Sequence, residues 1–286
     1  MVTATGEEDR MYQIVATDMD GTFLTEEHVL PQANIDAVLR MRELGVLFVP
    51  ASGRPMPSIL YTLRMMPPAC LEGSYVISYN GGVVHQVGNP EPLYANTLPF
   101  DVVNRIFQWG LGQEGIGFHV YETSGKVWGH RMAQEEVDYL VGSMEWEPIG
   151  GDSIEFLRDA PISKILFTHE GLEFLEDLRA RVPEEVYAGT TTTISSRRYL
   201  EFNPVGVDKG TGITWLANYL GVDISDVIGC GDALNDLEMI ETVGCGVVVA
   251  NATDDVRAVA DYQARSTCED GVFAEVLEEL IEPQHR

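Results

Sequence analysis

The pattern that most restricts the fold is a repeated one: a short apolar run, a polar break, then an amphipathic helical stripe. The runs are Ile14–Asp18, Val46–Ala51, Tyr75–Ser78, Asp226–Cys230 and Gly246–Val249. The breaks are Asp18-Met19-Asp20-Gly21-Thr22, Ser52-Gly53-Arg54, Asn80-Gly81-Gly82 and Gly231-Asp232. Between them fall helical stripes: Ile35, Val38, Leu39 and Met41; Ser58 to Met66, stopped by Pro67-Pro68; Gly212 to Leu220; a helix through Met239; and Asp255 to Ala260. Strands that are apolar without alternation and that alternate with helices predict a parallel sheet covered on both faces. In such a sheet ligands bind beyond the carboxyl ends of the strands. The polar breaks all fall there, so residues 200 positions apart in the chain converge on one edge.

The middle of the chain reads differently. Pro90 and Pro92 interrupt it, and Pro99-Phe100-Asp101 opens a helix through Trp109. Phe118–Tyr121 and Lys126–Trp128 read as antiparallel strands around a Ser124-Gly125 turn, followed by a further helix and strand stretch from Glu135 to Val186. The division predicted is a core of residues 1–84 and 190–286, with an inserted α+β module over 85–189. His119, Tyr121, Trp128 and His130 in that module fit either a pocket lining or the buried face of the hairpin. Residues 1–10 are polar and acidic and read as a loose tail.

With 286 residues, 45% of them hydrophobic, the chain has enough apolar surface for one large or two medium domains. A formal net charge of −27 argues against nucleic acid and anionic membrane as partners. There are three lysines, Lys126, Lys164 and Lys209. The four cysteines, Cys70, Cys230, Cys245 and Cys268, have no C-x-x-C spacing and read as free core thiols. There is no signal-peptide pattern and no apolar run long enough for a membrane helix, so the predicted setting is the cytoplasm.

Asp18 and Asp20 pose an electrostatic problem. Strand residues i and i+2 share a face. Two carboxylates ~4 Å apart repel by roughly 4 kcal/mol at an effective dielectric near 20. Such a pair needs a proton, a metal or a cationic partner.

Four motifs together resemble the haloacid dehalogenase-like superfamily, in particular its Cof-type (subclass IIB) phosphatases. They are Asp18-Met19-Asp20-Gly21-Thr22; Ala51-Ser52-Gly53-Arg54; the run Glu201 to Gly210 containing Asp208-Lys209; and Gly231-Asp232-Ala233-Leu234-Asn235-Asp236. Smaller similarities are Asn80-Gly81-Gly82, Ala250-Asn251-Ala252 and Glu269-Asp270-Gly271-Val272. The resemblance implies a Rossmann-like core with an inserted α+β cap that selects the substrate.

It also implies roles. Asp18 would be the nucleophile that forms an aspartyl-phosphate, and Asp20 the general acid and then base. Asp18, the backbone carbonyl of Asp20, and Asp232 would hold Mg2+. Met19, Ser52, Gly53, Arg54, Asn80, Lys209 and Asn235 would bind phosphate or substrate. Lys209 would also neutralise charge, and Asp236 would orient the metal shell or Lys209. The implied activity is Mg2+-dependent hydrolysis of a small phosphomonoester such as a sugar phosphate. The alternatives are a phosphomutase of the same superfamily, or a phospho-ligand sensor of low turnover. A P-type ATPase domain would carry Thr where Asp20 stands, and would be tethered to membrane helices.

Overall fold

The strand Ile14–Thr17, buried at every position, lies inside a five-stranded parallel sheet. It pairs with Leu47–Pro50 on one side and Val227–Gly231 on the other. Cys245–Val248 and then Tyr262–Gln263 complete the sheet. The computed structural model describes residues 11–140 and 144–285, so the loose tail expected over residues 1–10 lies outside the described residues. The register sets Thr17 beside Pro50 and Cys230. All three strands therefore end at one level, and Asp18, Ser52 and Asp232 follow within one or two residues of it. Tyr75–Ser78 extends this edge through a single parallel bridge, Ala51 to Ile77, and forms an antiparallel hairpin with Val83–Gln86.

Two compact units are present, residues 1–53, 62–88 and 208–286 in the first, and 54–61 and 89–207 in the second. In the first, Phe23, Phe48 and Phe273 are fully buried, with ring centroids 4.8–5.7 Å apart. Buried Asn34 joins two of these segments. Its Nδ2 donates to the Phe23 carbonyl, and its Oδ1 accepts from the Phe273 N–H.

The second unit holds a six-stranded sheet in the order Thr190–Ser195, Tyr199–Pro204, Ile162–Thr168, Gly117–Glu122, Val127–His130, Trp146–Pro148. One face is an apolar core of Phe118, Val120, Ile165, Phe167, Leu200 and Phe202. The predicted boundary at residue 190 needs correction. Residues 190–207 group with this unit, because Tyr199–Pro204 pairs antiparallel with Ile162–Thr168 and Thr190–Ser195 pairs with Tyr199–Pro204.

His119, Tyr121, Trp128 and His130 do not share a face. Trp128 and His130 pair with Val120 and Phe118 on the apolar side, while His119 and Tyr121 point the other way. There His119 is fully buried, 3.0 Å from the Tyr121 hydroxyl and 3.5 Å from Glu136. Burial first, then Lys164 and Arg198, pushes its pKa down to about 3, so it is a neutral packing residue. Lys164 on this face is buried in an ion pair with Glu201 at 2.9 Å.

The turn after Tyr75–Ser78 is left-handed at three successive residues, Tyr79, Asn80 and Gly81. At Gly81 (φ +97°) a Cβ would come within 1.9 Å of the Asp208 carbonyl oxygen and 3.2 Å of the Gly212 nitrogen. The turn thus seats the start of the helix Lys209–Leu220. Gly81→Ala is expected to lower stability by about 3 kcal/mol in urea denaturation, from backbone strain and overpacking. An unchanged midpoint would show that the two segments separate readily.

Candidate active site

Lys209 occupies the first turn of its helix, behind an Asp208 cap whose Oδ1 accepts from the Thr211 N–H at 2.6 Å. Such a residue is ordinarily solvated, yet Lys209 is fully buried. Its ammonium is shared, donating to Asp18 Oδ1 and to Asp236 Oδ1 at 2.6 Å. Asp236 is itself fully buried, and its other oxygen accepts from the backbone N–H groups of Asp232 and Ala233 at 3.0 and 3.1 Å. One side chain therefore ties the lysine to the loop that carries Asp232.

Asp232 is fixed from the opposite direction. The Thr22 hydroxyl donates to its Oδ1 at 2.7 Å, and its backbone carbonyl accepts from Thr253 N–H at 2.9 Å. Its carboxylate lies against Gly21 (φ +79°), where a Cβ would meet Asp232 Oδ2 at 2.9 Å. A side chain at 21 would push the carboxylate out of the site. Asn251 braces the same turn, its Nδ2 donating to the Gly21 carbonyl at 2.8 Å and its Oδ1 accepting from Cys268 N–H.

The crowded carboxylates are therefore Asp18, Asp232 and Asp236, with one oxygen of each within 4.8 Å of the others. Asp20 is not one of these three. The strand ends at Thr17, so the alternation of faces stops before Asp20. Asp18 is 6% exposed, whereas the Asp20 side chain is 38% exposed and meets His28 Nδ1 at 2.8 Å.

Ser52 is buried at the neighbouring strand end, its N–H donating to Ile77 and its carbonyl accepting from Asn80 N–H. The Asn80 amide lies over Gly53. Met19 is buried beneath the loop. Asn235 is exposed on the 3-10 turn Leu234–Asp236. Arg54 falls in the segment 54–61 that groups with the second unit.

Charge explains the titration of the cluster. Burial would lower the Lys209 pKa, but Asp18 and Asp236 more than reverse this, so it stays an ammonium. One positive charge cannot balance three carboxylates. Burial pushes Asp18 from 3.8 up to about 8, with Asp236 and Asp232 adding to the rise and Lys209 opposing it. Burial also pushes Asp232 up to about 6, with Asp236 and Asp20 adding and the Thr22 hydroxyl and Lys209 opposing. Three carboxylates and one ammonium leave a surplus of two negative charges. All available donors are oxygens, and Asp236 already accepts hydrogen bonds at both of its own. Asp18 and Asp232 retain coordinating capacity, and such a set fits a hard divalent cation.

The chain as a whole has counterparts among known proteins. The sequence profile of the haloacid dehalogenase-like hydrolases matches residues 15–276. A provisionally named phosphatase of Bacillus subtilis (strain 168), YxeH, is 31% identical over 275 residues, covering 95% of this chain and 99% of that one. The 5-amino-6-(5-phospho-D-ribitylamino)uracil phosphatase YcsE of the same organism is 29% identical over 265 residues, 93% of this chain and 94% of that one. A solved haloacid dehalogenase-like hydrolase from Bacteroides thetaiotaomicron superposes with a TM-score of 0.81 at 28% identity, covering 94% of this chain and all of that one. The chain belongs to the haloacid dehalogenase-like hydrolases.

Sequence reasoning missed Thr22, His28, Asn34 and Asn251 as members or braces of the site. Thr22 and Asn251 stood inside motifs without roles of their own, and the other two carry no residue-type signature.

Two outcomes test the electrostatics. Between the ordinary carboxylate pKa of 3.8 and about 8, the folded protein keeps protons that the unfolded chain has released. Stability of the metal-free protein therefore falls as pH rises through that window. Melting temperatures from pH 4.5 to 8 should decline, and Asp18→Asn should flatten the decline; an equal slope in both proteins would refute the assignment. Lys209→Met leaves Asp18 and Asp236 facing each other without a cation, and should cost about 3 kcal/mol at pH 7.5. The cost should shrink at pH 5, well below the Asp18 value of about 8, where that carboxyl keeps its proton.

Proposed function

We propose that this chain is a Mg2+-dependent cytoplasmic phosphatase that hydrolyses a small phosphomonoester through an aspartyl-phosphate. The observation that carries this reading is the buried Lys209 bridging Asp18 and Asp236. It holds Asp18 at a strand end, oriented and paired with a cation, where an anionic substrate can be met. The YcsE relative supports a phosphorylated small metabolite, since its named substrate is a ribityl phosphate.

In the first step a carboxylate oxygen of Asp18 attacks phosphorus and the phosphorus–oxygen bond to the leaving group breaks. Asp20 gives its proton to the departing oxygen. In the second step Asp20 takes a proton from water as the water oxygen attacks phosphorus. The bond to Asp18 then breaks, releasing inorganic phosphate and restoring the carboxylate.

Lys209 offsets the charge of Asp18 and of the incoming phosphate. The Ser52 hydroxyl and the N–H groups of Met19 and Gly53 are assigned to the phosphate oxygens, with Asn235 reaching in from the turn. Asp236 keeps Lys209 and the Asp232 loop in register. Asp18, Asp232 and the Asp20 backbone carbonyl would hold Mg2+, which supplies charge neutralisation when bound. In phosphoryl transfer, positioning and charge neutralisation supply most of the catalysis.

A phosphate-release screen over phosphomonoesters, with Mg2+ and with EDTA, tests the reading. Activity should require Mg2+. Asp18→Asn should lower kcat by a factor on the order of 1,000 or more. Turnover that survives EDTA or Asp18→Asn would sink the mechanism. Transfer between two positions of one sugar, without release, would make the protein a mutase. Phosphate-ligand binding without turnover of any compound would make it a sensor.

A further inference from the structure

We propose that His28 is a positioning residue for Asp20, holding one carboxylate oxygen so that the other faces the leaving group; this rests on the reading of Asp20 as the general acid. Asp20 differs from the other carboxylates of the site. Lys209 and backbone amides immobilise Asp236, while Thr22 and Gly21 immobilise Asp232. The Asp20 side chain lies at the open side of the loop, 38% exposed, with His28 Nδ1 at 2.8 Å from its Oδ1. A proton donor that rotates freely rarely presents its proton along the productive direction, so fixing its rotamer contributes directly to rate.

The backbone around His28 is built for this delivery. His28 has φ +60°, a left-handed conformation in which a residue bearing a Cβ is strained by roughly 1 kcal/mol. His is among the residues that tolerate this region, and tolerance alone would be an ordinary account. Here, however, the turn is closed on every side. Thr25 N–H donates to the Val29 carbonyl at 2.9 Å, His28 N–H to the Thr25 carbonyl at 2.9 Å, and Val29 N–H to the Thr25 hydroxyl at 3.0 Å. Buried Thr25 anchors that ring of hydrogen bonds. The left-handed step turns the imidazole back across eight residues of sequence onto Asp20.

Stability does not account for the contact. His28 is 58% exposed, and an exposed pair of this kind adds little to folding. Its effect lies in geometry. In the tautomer that carries its proton on Nδ1, His28 donates to Oδ1, which leaves the Asp20 proton to Oδ2, and the two oxygens take different tasks.

The test uses two aryl phosphates whose leaving groups differ in their need for a proton. Phenyl phosphate requires general acid help, whereas 2,4-dinitrophenyl phosphate does not. kcat/KM reports the steps up to and including formation of the aspartyl-phosphate and so excludes the later role of Asp20 as base. His28→Gly, which adopts φ +60° freely, preserves the turn and removes only the imidazole. It should melt within about 2 °C of the wild type, a small shift for a chain of this size. It should lose about 10-fold in kcat/KM for phenyl phosphate, at the lower end of what supporting residues contribute. The loss for the dinitrophenyl ester should be under about 2-fold, since that step needs no proton. In an Asp20→Asn background the same change should cost nothing further on phenyl phosphate. Equal losses on both esters, an undiminished loss in the Asp20→Asn background, or no loss at all would overturn the role of His28. If Asp20→Asn itself cleaves phenyl phosphate as well as the wild type, the assignment of Asp20 fails instead, and the two failures are distinguishable.

Discussion

The first unit is organised around a single ammonium group with no exposure to water. Lys209 lies between Asp18 and Asp236, and Asp236 in turn holds the backbone of the Asp232 loop. Remove the cation and two buried carboxylates oppose each other. Remove Asp236 and both the lysine and the Asp232 loop lose an anchor. The parallel register ends three strands at a common level, but this chain of contacts converts a shared edge into a defined cluster. The helix that presents Lys209 is seated by the left-handed turn at Tyr79–Gly81, so the hairpin edge also contributes to where the ammonium stands.

Much of this was readable from residue order. The Ile14–Thr17, Leu47–Pro50 and Val227–Gly231 strands are short and almost wholly apolar, a pattern that identifies buried parallel strands without tertiary information. The polar residues after them could only cluster. Other elements depended on distant partners. Thr190–Ser195 is a threonine-rich run whose membership is decided by pairing with Tyr199–Pro204, and through it with Ile162–Thr168. The run from Glu201 to Gly210 reads as one motif, yet its Glu201 belongs to the six-stranded sheet and its Lys209 to the first unit.

The electrostatic problem was also visible, but the residues that share it with Asp18 were not all adjacent in sequence. Asp18 and Asp20 are neighbours in sequence, whereas Asp18, Asp232 and Asp236 are neighbours in space. The alternation that would have joined the first two requires a strand that has already ended. The braces were invisible for a related reason. Thr22 acts through one hydroxyl, and Asn34 and Asn251 through bonds to backbone groups far along the chain. Such contacts leave no spacing rule in the sequence. Lysine scarcity gave a better signal: of three lysines, Lys164 and Lys209 are both buried in ion pairs.

The Asn34 bridge has a consequence for synthesis. It ties the carbonyl of Phe23 to the amide of Phe273, and the rings of those two residues pack on each other. The strand that leads to Asp18 also takes one of its two neighbours from Val227–Gly231. A growing chain therefore makes Asp18 well before the strand Val227–Gly231 that flanks it, and the Asn34 bridge forms only after residue 273 has been made. The sheet over residues 117–204 is complete long before that. During translation the second unit has its pairing partners early, and the Asp18, Lys209, Asp232 and Asp236 cluster is assembled after it.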